Sequence, residues 1–132
     1  MHPTEVIDRV WILAQTHKSG KWLIYRTEDA IDEAWGIIQE ATRRGELGHV
    51  AKVSSALAVR LGSEVGRTEY DAAGSPLWVI CVYTRDCDNK EDVMRVRDAL
   101  RGLGFTERLK YKSDEQTRAG EYGEAFVPMY EV

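Results

Sequence analysis

The sequence is short of several things, and each shortage removes a class of explanation. It holds two cysteines in 132 residues, Cys81 and Cys87, and no C-x-x-C pair, so neither a disulfide framework nor a dithiol redox motif is at hand. Cys81 lies inside an apolar run and reads as a buried free thiol. Histidine is scarce: His17 and His49 stand alone, with no second histidine or cysteine at ligand spacing, so no metal is expected, and no other cofactor. No long apolar run opens the chain, because Glu5, Asp8 and Arg9 interrupt it. Neither a signal peptide nor a membrane span is expected, and the expected compartment is cytoplasmic. Also missing are a Walker loop, a G-x-G-x-x-G after a strand and a Ser-His-Asp order. An excess of positive charge is absent too. A net charge of -4 and a pI near 5.4 argue against a broadly basic nucleic-acid coat, though not against a local basic patch. With no repeats, low-complexity tracts or linkers, residues 1–132 read as one domain.

What is present is organised around Ser75 to Asp86, a run opened by a Gly-Ser-Pro turn and rich in β-branched and aromatic residues. Trp78 to Thr84 reads as a central strand buried on both faces. Before it, apolar spacing predicts a helix over 4–16, a strand over 21–26, a helix from Asp29 to about Arg44 and a strand over 49–54. Residues 60–75, with Gly62, Gly66, Gly74 and many charges, read as a long surface loop. After the central strand come a helix over 88–103, capped by Asp88, and a strand over 105–112. A polar loop over 114–123 and a last strand over 125–132 complete the chain. Each helix has a single apolar stripe, so helices cover the sheet on one side only, and the order is α+β or α/β in character.

Strand alternation then says which side chains line the uncovered face. Lys52 and Ser54 share one face of their strand, and Arg108, Lys110 and Lys112 share one face of theirs, opposite Leu109 and Tyr111. The open face is therefore expected to be locally basic. With Lys52 and Lys110 on neighbouring strands, cations and hydroxyls there suit a phosphate-bearing ligand. Tyr83 and Arg85 emerge at the end of the central strand, and Arg118 and Tyr122 sit on the polar run after Lys112. Trp35 and Trp22 read as core, whereas Trp11 and Trp78 are candidate stacking platforms.

Several blocks resemble a known family. Ser19-Gly20-Lys21-Trp22-Leu23-Ile24, Ala51-Lys52-Val53-Ser54, Val79 to Thr84, and Tyr111-Lys112-Ser113-Asp114 with Thr117, Gly120 and Tyr122 resemble the family named after basophilic-leukaemia-expressed protein. That family shares the fold of eukaryotic translation initiation factor 4E, the messenger-RNA cap-binding protein. Gly20-Lys21-Trp22-Leu23-Ile24 is similar to that factor's Gly-Arg-Trp-Leu-Ile strand, and Asp86-Cys87-Asp88-Asn89-Lys90-Glu91 to one of its helix starts. The resemblance implies a curved, mainly antiparallel sheet backed on one face by three helices. It closes the question of strand direction that the element order leaves open.

Cap recognition is not implied along with the fold. Trp11 has the spacing to Trp22 of one sandwich tryptophan, but Ile12 stands where a base-reading glutamate would be, and no segment supplies a second sandwich tryptophan. Ser54 falls where a phosphate-binding arginine would be. The expected function is nucleotide or RNA binding on the concave sheet face, using Lys21, Lys52, Ser54, Tyr83, Arg85, Lys110, Lys112, Arg118 and Tyr122. One alternative is an enzyme that eliminates phosphate from a phosphorylated substrate, like a phosphothreonine lyase. It would take Lys52 or Lys110 as base, Tyr122 or His49 as acid and Arg85 or Arg118 as clamp. Another is an adaptor that meets a protein partner with its helical face.

Overall fold

The computed structural model describes residues 18–120 and 126–132, together with the backbone of Glu5–Val6. Six strands form one antiparallel sheet: β1 (Glu5–Val6), β2 (Gly20–Arg26), β3 (Ala51–Val53), β4 (Trp78–Thr84), β5 (Lys110–Ser113) and β6 (Tyr130–Glu131). Their spatial order is β1-β3-β4-β2-β5-β6. β4 pairs with β2 along its whole length, from Trp78 opposite Arg26 to Thr84 opposite Gly20. The expected central strand is central, and all of it but Val79 is buried. The expected helix over 4–16 lies mostly outside the described residues, and Glu5–Val6 pairs with β3 as a strand.

Among the described residues, two long helices cover one face. In α1 (Glu28–Arg43) the buried stripe is Ile31, Ala34, Trp35, Ile38, Ala41 and Thr42. Thr27 is its N-cap, not Asp29, which joins Glu28 in the first turn, where carboxylates meet the positive end of the helix dipole. In α3 (Lys90–Gly102) the cap is Asn89, whose side chain accepts from Asp92 N at 3.2 Å, not Asp88. Its stripe is Val93, Val96, Arg97 and Leu100. Trp22, Ile24, Trp78, Ile80, Val82 and Tyr111 meet these stripes from the sheet. Trp22 donates from Nε1 to Val93 O at 3.0 Å and lies edge-on to Tyr111, with ring centroids 5.2 Å apart. Gly20 has no substitute here, since the Tyr111 phenol occupies the space a β-carbon would need.

Arg97 is fully buried, which a charged residue tolerates only with its donors matched. Its guanidinium donates to Val132 O (2.9 Å), Phe105 O (2.9 Å) and Glu107 O (2.6 Å), so one side chain ties the segment after α3 to the last residue. That segment is a strand only from Lys110, not from Phe105.

Two stretches expected to be loops contain helix. α2 (Ala56–Glu64) begins at Ser55, whose hydroxyl accepts from Ala58 N at 3.0 Å. After it, Arg67 N donates to Gly62 O, and Asp71 accepts from Ala73 N and Ser75 N, folding 65–76 into ordered turns. α4 (Asp114–Arg118) starts with a capping box between Ser113 and Gln116, which satisfies two otherwise orphaned backbone donors. Among the described residues no helix is long and apolar enough to cross a membrane.

Candidate functional site

Alternation on the four inner strands sends a second set of side chains to the face that α1 and α3 leave open. β2 contributes Lys21, Leu23 and Tyr25; β4 contributes Val79, Cys81 and Tyr83; β3 contributes Lys52; β5 contributes Lys110 and Lys112. Leu23, Val50, Cys81 and Tyr83 form a small apolar cluster there, with Tyr25, Val79 and Phe126 against it. Leu23, Tyr25, Val79, Cys81 and Tyr83 floor a cleft of about 740 Å³, within the usual range for a small-molecule site. One wall is α2 and the residue that follows it, through Ala58, Leu61 and Val65, and the other is α4, through Asp114, Thr117 and Arg118. Helix α2 buries none of its residues, and Leu57, Leu61 and Val65 are each about half exposed or more.

The charge balance of this cleft runs opposite to that of the chain. Five cations, Lys21, Lys52, Arg67, Lys112 and Arg118, stand against three acids, Glu64, Glu69 and Asp114. Lys21 is already committed. It is 5% exposed and donates to Asp114 Oδ1 at 2.8 Å and Thr117 Oγ1 at 2.5 Å, with its ammonium 5.6 Å from the centre of the Tyr83 ring. The other carboxylate oxygen of Asp114 accepts from the Ser19 hydroxyl. The Lys21–Asp114 pair therefore anchors α4 on β2, and a ligand meets it as a neutral unit. Lys112 lies 5.1 Å from the centre of the Phe126 ring, an arrangement in which the ring face favours the cation. Burial, helped by Cys81 and Asp114, pushes the Tyr83 phenol far above its ordinary value. Burial also raises Tyr25, so both stay protonated donors at neutral pH.

Of the residues picked out in the sequence, Lys21, Lys52, Ser54, Tyr83, Lys112 and Arg118 meet at this cleft. Ser54 also serves the fold: its hydroxyl accepts from Val79 N at 3.0 Å and prolongs the β3–β4 ladder. Lys110 lines a neighbouring pocket instead. It is not on a strand next to Lys52, because β4 and β2 intervene. Lys52, Cys81, Leu23 and Lys110 form a row across the sheet, so the two backbone positions lie about 14 Å apart at ordinary strand spacing. One phosphate bridging Lys52 and Lys110 is thus not the arrangement the sheet builds. Arg85 is exposed past the end of β4 and lines neither cavity, as does half-buried His49. Trp78 is 3% exposed and sits in the core against α1 and α3, on the wrong face to stack on a ligand. Trp11 and Tyr122 lie outside the described residues.

Of the residues that phosphate elimination would use, Lys52 and Arg118 meet at the cleft, His49 does not line it, and Tyr122 lies outside the described residues. A cation could be approached by Asp86, Cys87 and Asp88, whose ligand atoms lie within 4.8 Å of one another. There Asp88 is bonded to Lys18 at 2.8 Å, and Asp86 Oδ1 accepts from Asp88 N at 2.9 Å. The residues missed by sequence reading are Leu23, Tyr25, Val79, Cys81 and the α2 wall. Alternation from Lys21 and Tyr83 carries the first four.

A model of the family described as Basophilic leukemia-expressed protein Bles03 matches residues 3–119, and the chain belongs to that family. Among solved structures it is similar to Ascaris suum eIF4E-3, described in complex with an m2,2,7G cap, at 17% identity and a TM-score of 0.50. The match covers 95% of this chain and 63% of that one, so this chain spans less than two thirds of its length. At that identity the likeness shows the fold: an α+β domain of the initiation factor 4E type, as the sequence resemblance implies.

Proposed function

We propose that the domain is a nucleotide- or RNA-binding module that holds a phosphate-bearing ligand in the open-face cleft. The observation that carries this reading is the composition of the cleft: an apolar and aromatic floor of Leu23, Tyr25, Cys81 and Tyr83, rimmed by Lys52, Lys112 and Arg118 in a chain of net charge -4. A flat apolar body lies well on such a floor, and a phosphate is held at its rim by charge-assisted hydrogen bonds. Lys112, nearly buried against Phe126, and Arg118, on the last turn of α4, form the cationic end. The fold supports the reading in a coarser way, since a protein of this architecture is known in complex with a methylated cap.

The test is calorimetric titration of the purified chain with adenosine and guanosine monophosphates and with a short RNA, repeated across salt concentrations. Binding should weaken steeply with salt. It should fall at least about tenfold in a Lys52→Glu/Arg118→Glu variant, since each lost charge-assisted contact is worth about 1.5–3 kcal/mol. Equal binding by variant and parent would sink the proposal.

A further inference from the structure

Beside the cleft lies a second pocket of about 330 Å³ on the same sheet face. The two share walls at Leu23, Tyr25, Glu69 and Leu77, so they are compartments of one trough. The second has the more aromatic lining: Tyr25 on its floor, Phe126 on one side, and Tyr70, 48% exposed, on another. Its cations are Arg108 and Lys110 and its acids Glu69 and Glu107. Glu107 is held by Arg26 at 2.5 Å, and Arg108 reaches Glu131 at 3.4 Å. Lys110 is exposed and shares a strand and a face with Lys112 of the first compartment, about 6.8 Å away by strand rise. Lys112 lies against the ring of Phe126, and Phe126 lines the second pocket together with Lys110.

We infer that this pocket is a subsite for a second nucleotide, so that the ligand is a single strand of at least two linked nucleotides and not a mononucleotide. The inference rests on the reading of the first cleft as a nucleotide site. Two cations one strand step apart on one face suit successive phosphates of a single chain. Three aromatic rings around the pocket offer a stacking surface for a base, the sequence-tolerant mode by which single-stranded nucleic acids are held. Glu69, on the boundary, repels a phosphate on its own side and leaves the linking phosphate to Lys110, with the first phosphate on Lys112.

The experiment compares adenosine monophosphate with the 5′-phosphorylated dinucleotide pApA on the intact chain. The dinucleotide should bind about tenfold more tightly or better, the effect of one further stacked base. Lys110→Glu should abolish that gain without changing the affinity for the monophosphate. Phe126→Leu, which keeps the apolar packing but removes the ring, should reduce the gain, and Phe126→Trp should preserve it. Equal affinities for the two ligands in the parent overturn the second subsite and leave the first reading standing. Binding of neither ligand overturns both.

Discussion

The Lys21–Asp114 pair offers the sharpest test of how the cleft is built. Both side chains are under a tenth exposed, their charged atoms are 2.8 Å apart, and Ser19 and Thr117 occupy further hydrogen-bonding positions. At an effective dielectric near 20 the gross attraction is about 6 kcal/mol, most of it offset by desolvation. Removing one partner strands the other, and for a buried pair this costs about 3–5 kcal/mol. The pair borders an open cleft, so the lower end applies. Asp114→Ala and Lys21→Met should each lose about 3 kcal/mol in urea unfolding, or about 10 °C in Tm for a domain of this size. The double variant should lose far less than the sum, leaving a coupling of about 2 kcal/mol. Losses under about 1 kcal/mol that simply add would mean the pair behaves like an exposed one, and its role as the anchor of α4 would be wrong.

Two further predictions concern the frame around the site. Arg97→Lys should fail to rescue Arg97→Leu, because an ammonium cannot reach three carbonyls that a guanidinium spans, and both should cost at least about 3 kcal/mol in urea melts. Gly48→Ala should destabilise by about 1–3 kcal/mol, since its β-carbon would fall on the Tyr83 carbonyl. Gly36→Ala, with open space on the exposed side of α1, should stabilise by about 0.5–1 kcal/mol, and the opposite order of the two glycine variants in urea midpoint would refute the packing argument.

Alternation and stripe carried most of the frame. The run Trp78 to Thr84 announces a buried strand, and 31, 34, 35 and 38 announce a helix face, because both depend on local periodicity alone. The place of Lys110 relative to Lys52 was not legible, since it depends on strand order, and β2 slots between strands that come much later in the chain. Helix α2 was hidden by Gly62 and the charges within it and by the glycines after it, although Ser55 followed by Ala-Leu-Ala is a fair helix start. The capping box Ser113-x-x-Gln116 was likewise readable as the start of α4 but short enough to pass for loop. Arg97 escaped because a stripe is read from apolar residues, and a guanidinium that finds three carbonyls breaks that rule. Trp78 shares the parity of Ile80 and Val82, so its place in the core follows once the helix-covered face is known.

The strand order bears on how the molecule comes to be folded. β2, with Trp22, Leu23 and Ile24 all buried, has as its partners Trp78–Thr84 and Lys110–Ser113. Neither exists when β2 leaves the ribosome, and the loops that must close to reach them are long. Little of the sheet can be rewarded before that entropy is spent, so folding should be slow and nearly all-or-none for a domain of this length. Until then this apolar strand stands unpaired, which makes β2 a part of the nascent chain that a chaperone would protect.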